Sequence, residues 1–234
     1  MRAFILAAGQ GTRLLPFTRD YPKCLVQVEG RAILDHQIAA LRAAGIGDIC
    51  VVGGYRLDRL RDHLAGLPPP EAAQLVRNPF WAVSNSIGSV WSVRDLLEQP
   101  FCLLNGDTIL APDLMRDAIR AAGDGVNLLV EPARMFAQDD MRVAVDAGRV
   151  TGVGKDLSHA SHRSLGVIIA GRVGAPAYAR ALEAVICAEG GAQRFHHAVI
   201  DHLAASTAIT AIATTSPLWI EIDRPEDIER WRHR

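Results

Sequence analysis

Lysine is almost absent from this chain. Lys23 and Lys155 are its only two lysines, although lysine and arginine together number 25. A GC-rich codon bias accounts for the many arginines, but it does not account for where the two lysines stand. Lys23 closes a segment rich in glycine and proline, and Lys155 follows a second stretch that contains glycine. Because a compact ammonium and a planar guanidinium are not interchangeable at a phosphate site, both lysines are candidate phosphate ligands.

Other absences narrow the class of protein. The formal net charge of −1 excludes the broad basic surface that non-specific nucleic-acid binding needs. No apolar run approaches the ~20 residues that span a bilayer, and the start of the chain has no signal-peptide pattern. The four cysteines lack metal or disulfide spacing, and Cys50 and Cys102 lie in apolar runs typical of core thiols. We expect a cytoplasmic protein without a nucleic-acid partner; its oligomeric state stays open.

In the first half of the chain, short apolar runs alternate with amphipathic segments. The spacing of these segments favours a doubly wound, mostly parallel α/β sheet, in which ligands bind beyond the carboxyl ends of the strands. Residues 8–23 and 105–107 should therefore face one crevice. The strands are predicted at Ala3–Ala7, Asp48–Val52, Leu75–Arg77 and Phe101–Leu104. The helices are predicted at Ile33–Ala44, at Leu57–Leu64 before a loop over 68–70, at Asn85–Leu97 with Ser84 or Asn85 as N-cap, and from Pro112.

The second half has a different pattern. Residues 141–145 and 149–153 alternate around the turn Asp146-Ala-Gly148, which predicts a hairpin. Further strands are predicted at Leu165–Ala170 and Leu218–Ile222, and helices at Pro176–Ala188, Arg194–Ala205 and Pro225–Trp231. A length of 234 residues fits one domain.

The glycine-rich loop is the strongest local motif. Gly9 and Gly11 follow a strand as in a dinucleotide-binding fingerprint, but Leu14 occupies the place of the third glycine. Pro16 and Pro22 leave no room for the helix that this fingerprint requires. No Gly-Lys-Ser/Thr follows, so the loop is not a P-loop either. These differences argue against a Rossmann dehydrogenase.

The same loop has the residues that a triphosphate site requires. Its glycines let backbone N–H groups approach phosphates, and Arg13 has the planar fork that pairs with phosphate oxygens. Lys23 adds a point charge on a stem stiffened by Pro22. The alternative is a solvated basic loop without a ligand.

Three acidic residues are candidate metal ligands. Asp107 ends an apolar strand, where an aspartate otherwise serves as a turn former or helix cap. Glu221 and Asp223 are two residues apart, so that on a strand they point to the same face. Carboxylate oxygens are the ligands that Mg²⁺ prefers. Glu226 and Asp227 instead suit the first turn of the last helix.

The longer pattern resembles the sugar-nucleotidyltransferase-like superfamily. It consists of Gly9, Gly11, Thr12, Arg13, Pro16, Thr18, Pro22 and Lys23. Residues 78–89, 140–156 and 219–227 are similar to motifs of the phosphocholine, inositol-phosphate and aminoethylphosphonate cytidylyltransferases. The resemblance implies a single nucleotidyltransferase domain over residues 1–234, with a Rossmann-like nucleotide-binding half (1–130) and a hairpin and helical acceptor-binding half (131–234). The chain departs from the pattern at Ser86, where the family has a second asparagine, and at His159–Arg163.

The resemblance also implies roles for individual residues. The implied catalytic residues are Arg13, Lys23 and Lys155. The implied nucleotide ligands are Ala7, Ala8, Gly9, Gly11, Thr12, Arg13, Gly54, Tyr55, Asn85, Ser89 and Asp107. The implied ligands of Mg²⁺ or Mn²⁺ are Asp107, Glu221 and Asp223. The implied acceptor ligands are Lys155, Asp140, Trp81 and Trp219.

The head group of the acceptor stays open at this stage. A quaternary ammonium would need an aromatic cage, for which the candidates are Trp81, Phe136, Phe195 and Trp219. An amine would need an acid, for which the candidates are Asp139, Asp140 and Asp201. His196 and His197 are expected on the surface of a helix, and they stay candidates for acceptor contact.

The implied reaction is transfer of a nucleoside monophosphate, CMP in the favoured case, from an NTP to a small phosphorylated or phosphonate acceptor such as phosphocholine or an aminoalkylphosphonate, with release of pyrophosphate. The alternatives are a sugar-1-phosphate, inositol-phosphate or molybdenum-cofactor nucleotidyltransferase. An alternative of another class is a nucleotide-sensing pseudoenzyme, against which both lysines and all three acids argue.

Overall fold

The computed structural model describes residues 1–68 and 73–232. Its strands are β1 Arg2–Ala7, β2 Gln27–Val28, β3 Arg31–Ala32, β4 Asp48–Gly53, β5 Gln74–Arg77, β6 Phe101–Asn105, β7 Thr108–Leu110, β8 Val126–Pro132, β9 Arg142–Asp146, β10 Arg149–Gly154, β11 His162–Ala170, β12 Ile209–Ala213 and β13 Trp219–Glu221. Its α-helices are α1 Ile33–Ala43, α2 Leu57–Ala65, α3 Ser86–Trp91, α4 Pro112–Ala121, α5 Gly174–Cys187, α6 His197–Ala204 and α7 Pro225–Arg232.

Among the described residues, nine strands form the central sheet, in the order β5-β4-β1-β6-β11-β8-β12-β10-β9. The first four run parallel, as the alternation of strands and helices in the first half predicts. Beyond β6 the sheet is mixed: β11 is antiparallel to both β6 and β8, and β12 is parallel to β8. The α/β fold class is confirmed, and the parallel part of the sheet belongs to the first half.

Helices cover both faces of the sheet because its strands alternate their side chains. On β1, Phe4 and Leu6 point to one face, while Ala3, Ile5 and Ala7 point to the other. Helices α3, α5 and α6 pack on the face of Phe4, and α1, α2 and α4 pack on the face of Ile5. Both faces are therefore buried, which is why the strands of the first half are continuously apolar.

Several elements differ from the sequence-based expectation. The helix predicted at 85–97 ends at Trp91, and a separate 3₁₀ turn follows at Arg94–Leu96. Asn85 is its N-cap, as predicted. Helix α6 begins at residue 197 rather than 194. Strands β8 and β12 were not predicted. The last two residues of the loop expected at 68–70 lie outside the described ranges.

The predicted hairpin is present as β9 and β10. Ala147 and Gly148 both have positive φ, at 45° and 77°. This is the backbone of a type I′ turn, whose twist matches the twist of the strands that it joins. The hairpin carries Lys155, which follows β10, toward the carboxyl ends of the parallel strands. Within the described part of the chain, no helix is long and apolar enough to cross a membrane.

Candidate active site

A cleft of about 440 Å³ lies beyond the carboxyl ends of β1 and β6. Residues of the glycine-rich loop and of the segment 105–107 line it together, so the predicted crevice is confirmed. The two ends of the cleft differ in chemistry. We call Arg13, Lys23, Asp107, Asp139, Lys155, Glu221 and Asp223 the charged end. We call Asn78, Ser89, Ser164, His196 and His197 the neutral end.

The path of the glycine-rich loop is fixed by two residues. Gly11 has a φ of +70°, and a Cβ atom there would lie 2.8 Å from the Cβ of Lys23. Only glycine fits both the conformation and the close approach. Thr18 is fully buried and donates from Oγ1 to Gly11 O at 2.8 Å. The loop therefore holds Lys23 against Gly11.

Asp107 is positioned by a tight approach between two strands. A Cβ atom at Gly106 would overlap the carbonyl oxygen of Leu6, so glycine is required there. From α1, the buried amide of Gln37 donates to Asn105 O at 2.6 Å and to Thr108 O at 2.8 Å. The turn between β6 and β7 is thus held from both sides, and Asp107 stands at its tip.

The other two acids reach Asp107 through a short antiparallel pair. Strand β13 pairs with β7 so that Glu221 lies opposite Thr108, and Ile222 N donates to Asp107 O at 2.9 Å. Asp227 accepts from the backbone N–H of Asp223, which fixes the chain beyond β13. One carboxylate oxygen from each of the three acids lies within 4.8 Å of the others.

These three carboxylates fit a divalent cation. Oδ1 of Asp107 is buried and has no hydrogen-bond partner among the described residues. Burial first, and then the nearby charges of Asp107 and Asp223, raise the pKa of Glu221 to about 8, although Lys23 opposes the shift. A cation would partner the free oxygen and relieve the repulsion among the acids.

Lys23 neutralises two of the acids. Its Nζ donates to Asp107 Oδ2 at 2.8 Å and to Asp223 Oδ1. Burial lowers the pKa of Lys23, but the carboxylates of Asp107 and Asp223 outweigh burial and hold that pKa above its ordinary value. The ammonium is therefore charged throughout the physiological range.

Asp139 neutralises the cations on the opposite side of the charged end. Arg13 bridges two acids, pairing through Nη1 with Asp139 and through Nη2 with Asp223 at 3.1 Å. Lys155 Nζ lies 3.9 Å from Asp139 Oδ1, and Arg224 lies 3.8 Å from Oδ2. A single aspartate thus gathers three cations, two of which were predicted to bind phosphate.

The neutral end is built from amides, hydroxyls and two imidazoles. Asn78 donates to Ser89 Oγ at 3.1 Å, and Ser164 Oγ contacts His197 Nε2 at 3.0 Å. His196 contacts Ser86 Oγ through Nδ1 at 3.2 Å. Burial lowers the pKa of His197 to about 4, with help from Lys155, and burial with His197 lowers the pKa of His196 well below its usual value. Both rings are neutral at physiological pH.

Most of the predicted site residues line the cleft or the groove that adjoins it. The cleft is lined by Ala8, Gly9, Arg13, Trp81, Asn85, Ser89, Asp107, Lys155, Glu221 and Asp223. The groove is lined by Gly11, Thr12, Arg13, Lys23, Trp81 and Asp223.

Three predicted nucleotide residues lie behind the cleft wall. Ala7 is buried in β1. A Cβ atom at Gly54 would lie 2.8 Å from Ala8 O, and Tyr55 N donates to that oxygen at 3.0 Å. The ring of Tyr55 also meets Trp81 edge to face, with centroids 5.4 Å apart. These residues support the lining of the cleft.

Two predicted acceptor residues belong to a separate network. Arg163 pairs with Glu131 and lies 3.6 Å from Asp140. The same guanidinium stacks 4.9 Å over the ring of Trp219, whose Nε1 donates to Glu131 Oε1. The polar groups of this network are paired with one another, and neither Asp140 nor Trp219 lines the cleft.

The neutral end contains what the sequence did not reveal. His196 and His197 are buried, at 1% and 4% exposure, so their expected place on a helix surface was wrong. The apolar residues around them gave a periodicity that fits either side of a helix. Ser164 and Gly166 also line the cleft, although no motif marked them, whereas Asn105 belongs to the predicted segment 105–107.

The fold and the cleft define a nucleotidyltransferase. A family model described as the MobA-like NTP transferase domain matches residues 3–147, and the chain belongs to that family. Lys155 and the imidazoles of the neutral end lie after the matched region. The family match thus covers the glycine-rich loop and Asp107, but not the residues that close the other side of the cleft.

Similar proteins include cytidylyltransferases. The chain is 53% identical over 64 residues to the CTP:phosphoglutamine cytidylyltransferase of Campylobacter jejuni, covering 27% of this chain and 25% of that protein. It is 30% identical over 232 residues to the bifunctional IPC transferase and DIPP synthase of Rubrobacter xylanophilus, covering 97% of this chain and 50% of that protein. The chain thus spans half or less of these relatives.

A solved structure shares the whole fold. The CTP:phosphocholine cytidylyltransferase of Streptococcus pneumoniae superposes with a TM-score of 0.81, covering 99% of this chain and 97% of that one, at 22% identity. This likeness extends the fold assignment through the second half of the chain.

Proposed function

We propose that this protein transfers CMP from CTP to a small phosphorylated or phosphonate acceptor and releases pyrophosphate. The observation that carries the proposal is the charged end, where the glycine-rich loop, three carboxylates and Lys155 converge on one cleft. The choice of CTP rests on the names of the relatives. Sugar-1-phosphate, inositol-phosphate and molybdenum-cofactor nucleotidyltransferases share the charged end and differ in the acceptor.

The reaction is one displacement at phosphorus. An anionic oxygen of the acceptor attacks the α-phosphorus of CTP, a new oxygen–phosphorus bond forms, and the bond from the α-phosphorus to its bridging oxygen breaks. Pyrophosphate leaves with the electron pair of that bond. The attacking oxygen is already ionised, so no general base is required. The task of the protein is to align two anions that repel each other and to neutralise their charge.

The residues of the charged end divide this task. Asp107, Glu221 and Asp223 would hold Mg²⁺ or Mn²⁺, which supplies positive charge to the triphosphate. Arg13 and the backbone N–H groups after β1 bind the triphosphate, and Lys23 stabilises charge at the α-phosphate. Lys155, on the opposite wall, binds the acceptor phosphate.

The test is a pyrophosphate-release assay with CTP, UTP, ATP and GTP, each with phosphocholine, 2-aminoethylphosphonate, myo-inositol 1-phosphate and glucose 1-phosphate. We expect release with CTP at least ~10-fold faster than with ATP or GTP, because a site that pairs with one base edge leaves polar groups unpaired beside another. A preference for ATP or GTP would contradict the assignment of CTP. Nucleotide binding without release for any acceptor would favour a sensing role.

A further inference from the structure

His196 carries an unsatisfied nitrogen in the wall of the cleft. Its side chain is 1% exposed, and its Nε2 has no hydrogen-bond partner among the described residues. The other polar atoms of the residue are fixed, because His196 N donates to Ser86 Oγ at 2.9 Å and Nδ1 lies 3.2 Å from the same oxygen. A buried polar atom without a partner costs free energy unless a ligand satisfies it.

The ring of His196 is set up to donate one hydrogen bond. Ser86 Oγ accepts from the backbone, which lets its own hydrogen go to Nδ1. In the tautomer that accepts this hydrogen at Nδ1, Nε2 carries the single N–H of the neutral imidazole. Burial and His197 keep the ring uncharged by lowering its pKa. Such a group suits an uncharged oxygen of a ligand and offers nothing to a cation.

His196 stands beside the proposed acceptor-phosphate ligand. The preceding residue, Phe195, lies under Lys155, whose Nζ is 4.5 Å from the ring centroid. The following residue, His197, is close enough for Lys155 to lower its pKa. All four side chains line the cleft. A phosphate on Lys155 would therefore place the rest of the acceptor beside His196.

The aromatic rings that could form a cage for a quaternary ammonium face cations of the protein itself. Phe195 has Lys155 over its ring, and Phe136 has Arg142 at 5.4 Å. Trp219 has Arg163 at 4.9 Å. Trp81 alone lines the cleft without such a cation among the described contacts, and one ring does not surround an ammonium group.

Two of the three acids that could bind an amine, Asp140 and Asp201, are engaged away from the proposed phosphate ligands. The third, Asp139, pairs with Arg13 and lies 3.9 Å from Lys155, and bound phosphate would compete with it for both cations. Asp140 faces Arg163 at 3.6 Å. Asp201 accepts from Val153 N at 2.9 Å. The remaining polar lining near His196 consists of amides and hydroxyls, which pair with uncharged groups.

We propose that His196 is a specificity-determining residue that donates a hydrogen bond to an uncharged oxygen of the acceptor, so that the acceptor is a neutral polyol or amide phosphate rather than one with an ammonium group. The inference rests on the proposed function, since it assumes an acceptor phosphate on Lys155. It narrows that function to acceptors whose non-phosphate part carries hydroxyl or carboxamide oxygens.

The experiment measures kcat and KM for four acceptors at saturating CTP: myo-inositol 1-phosphate, sn-glycerol 3-phosphate, phosphocholine and 2-aminoethylphosphonate. We expect the better polyol phosphate to exceed both ammonium compounds at least ~10-fold in kcat/KM, because leaving a buried donor unpaired costs about this factor or more. A preference for phosphocholine or 2-aminoethylphosphonate would overturn the inference alone. No pyrophosphate release with any acceptor would overturn the proposed function and the inference together.

Two variants of His196 distinguish a role in acceptor recognition from a role in folding. His196→Phe keeps a buried ring and removes the donor, and His196→Gln supplies a donor again. We expect His196→Phe to raise KM for the polyol phosphate about tenfold and to leave KM for CTP within about twofold, with His196→Gln recovering part of the loss. His202→Phe, an exposed change on the same helix, is the matched control. A rise confined to KM for CTP, or no change in His196→Phe, would overturn the inference. Thermal melts check that each variant folds, and the acceptor preference of the wild type tests the inference if His196→Phe does not fold.

Discussion

The two ends of the cleft differ in charge and in how their polar groups are paired. At the charged end every ammonium and guanidinium already has a carboxylate partner, as Lys23 has in Asp107 and Asp223. At the neutral end the polar groups are uncharged, and His196 keeps one nitrogen without a partner. Phosphate and metal ions can replace the partners in these charge pairs. A fixed neutral hydrogen-bond donor, in contrast, binds only a ligand whose acceptor atom has a matching position. The comparison suggests that the first end performs the transfer and the second end selects the acceptor.

The largest effect should come from the charged end. We expect Asp107→Ala to lower kcat at least ~100-fold, which corresponds to about 3 kcal/mol of activation free energy. The reason is that the site loses a preorganised metal ligand and with it charge stabilisation of the transition state. Pyrophosphate release in buffered Mg²⁺ and in EDTA measures the effect. Asp113→Ala, at the exposed start of α4, is the control. Release in EDTA at the rate seen with Mg²⁺, or an Asp107→Ala rate within tenfold of wild type, would contradict the metal site.

The two lysines should separate into two kinetic classes. Lys23 is 13% exposed between two acids, whereas Lys155 is 33% exposed above Phe195. We expect Lys23→Arg to lower kcat about tenfold, since the bulkier fork does not fit the crowded site, and Lys155→Arg to raise mainly KM for the acceptor by a similar factor. Each substrate is varied while the other is saturating. An arginine variant with wild-type values for both substrates would remove the special role of lysine at that position.

A smaller effect should appear in stability. The folded protein raises the pKa of Glu221 from its ordinary 4.5 to about 8 by burial and by repulsion from Asp107 and Asp223. The folded state therefore holds this proton more tightly than the unfolded chain, so stability without metal should fall as the pH rises between about 5 and 8. Glu221→Gln should remove this loss and gain ~1–2 kcal/mol at pH 8.

Urea unfolding in EDTA at pH 5 and pH 8 measures that difference. Glu221→Gln should also lose the stabilisation that Mn²⁺ gives to the wild type, since one of three metal ligands is gone. Glu226→Gln, on the first turn of α7, is the matched control. Parallel pH dependence in wild type and Glu221→Gln would show that Glu221 is not the group responsible.

The charged end was predictable because its information is local. Gly9, Gly11, Arg13 and Lys23 lie in one continuous segment, and Asp107 follows a strand whose direction the alternation of elements fixes. At the neutral end, the segment 78–89 was predicted from a motif, but the contacts among Ser86, Ser164, His196 and His197 were not, since these residues come from three distant elements that meet only in the folded chain. The division into nucleotide and acceptor halves stays a prediction.

Strand β12 was not predicted for a similar reason. Strand β12 contains Thr210 and Ala211 and has mixed exposure, so neither its composition nor its alternation marks it strongly. Its position in the sheet depends on pairing with β8 on one side and β10 on the other. Pairing partners of this kind are set by tertiary packing, which a short window of sequence does not contain.

Asp139 makes nucleotide binding an exchange of anions. Its carboxylate pairs with Arg13 and lies within 4 Å of Lys155 and Arg224. Phosphates that bind these cations displace the carboxylate of Asp139 and do not meet unpaired cations. Fewer mobile counterions are therefore released on binding than the number of cations in the cleft implies, and the affinity for nucleotide should decline only gently as ionic strength rises.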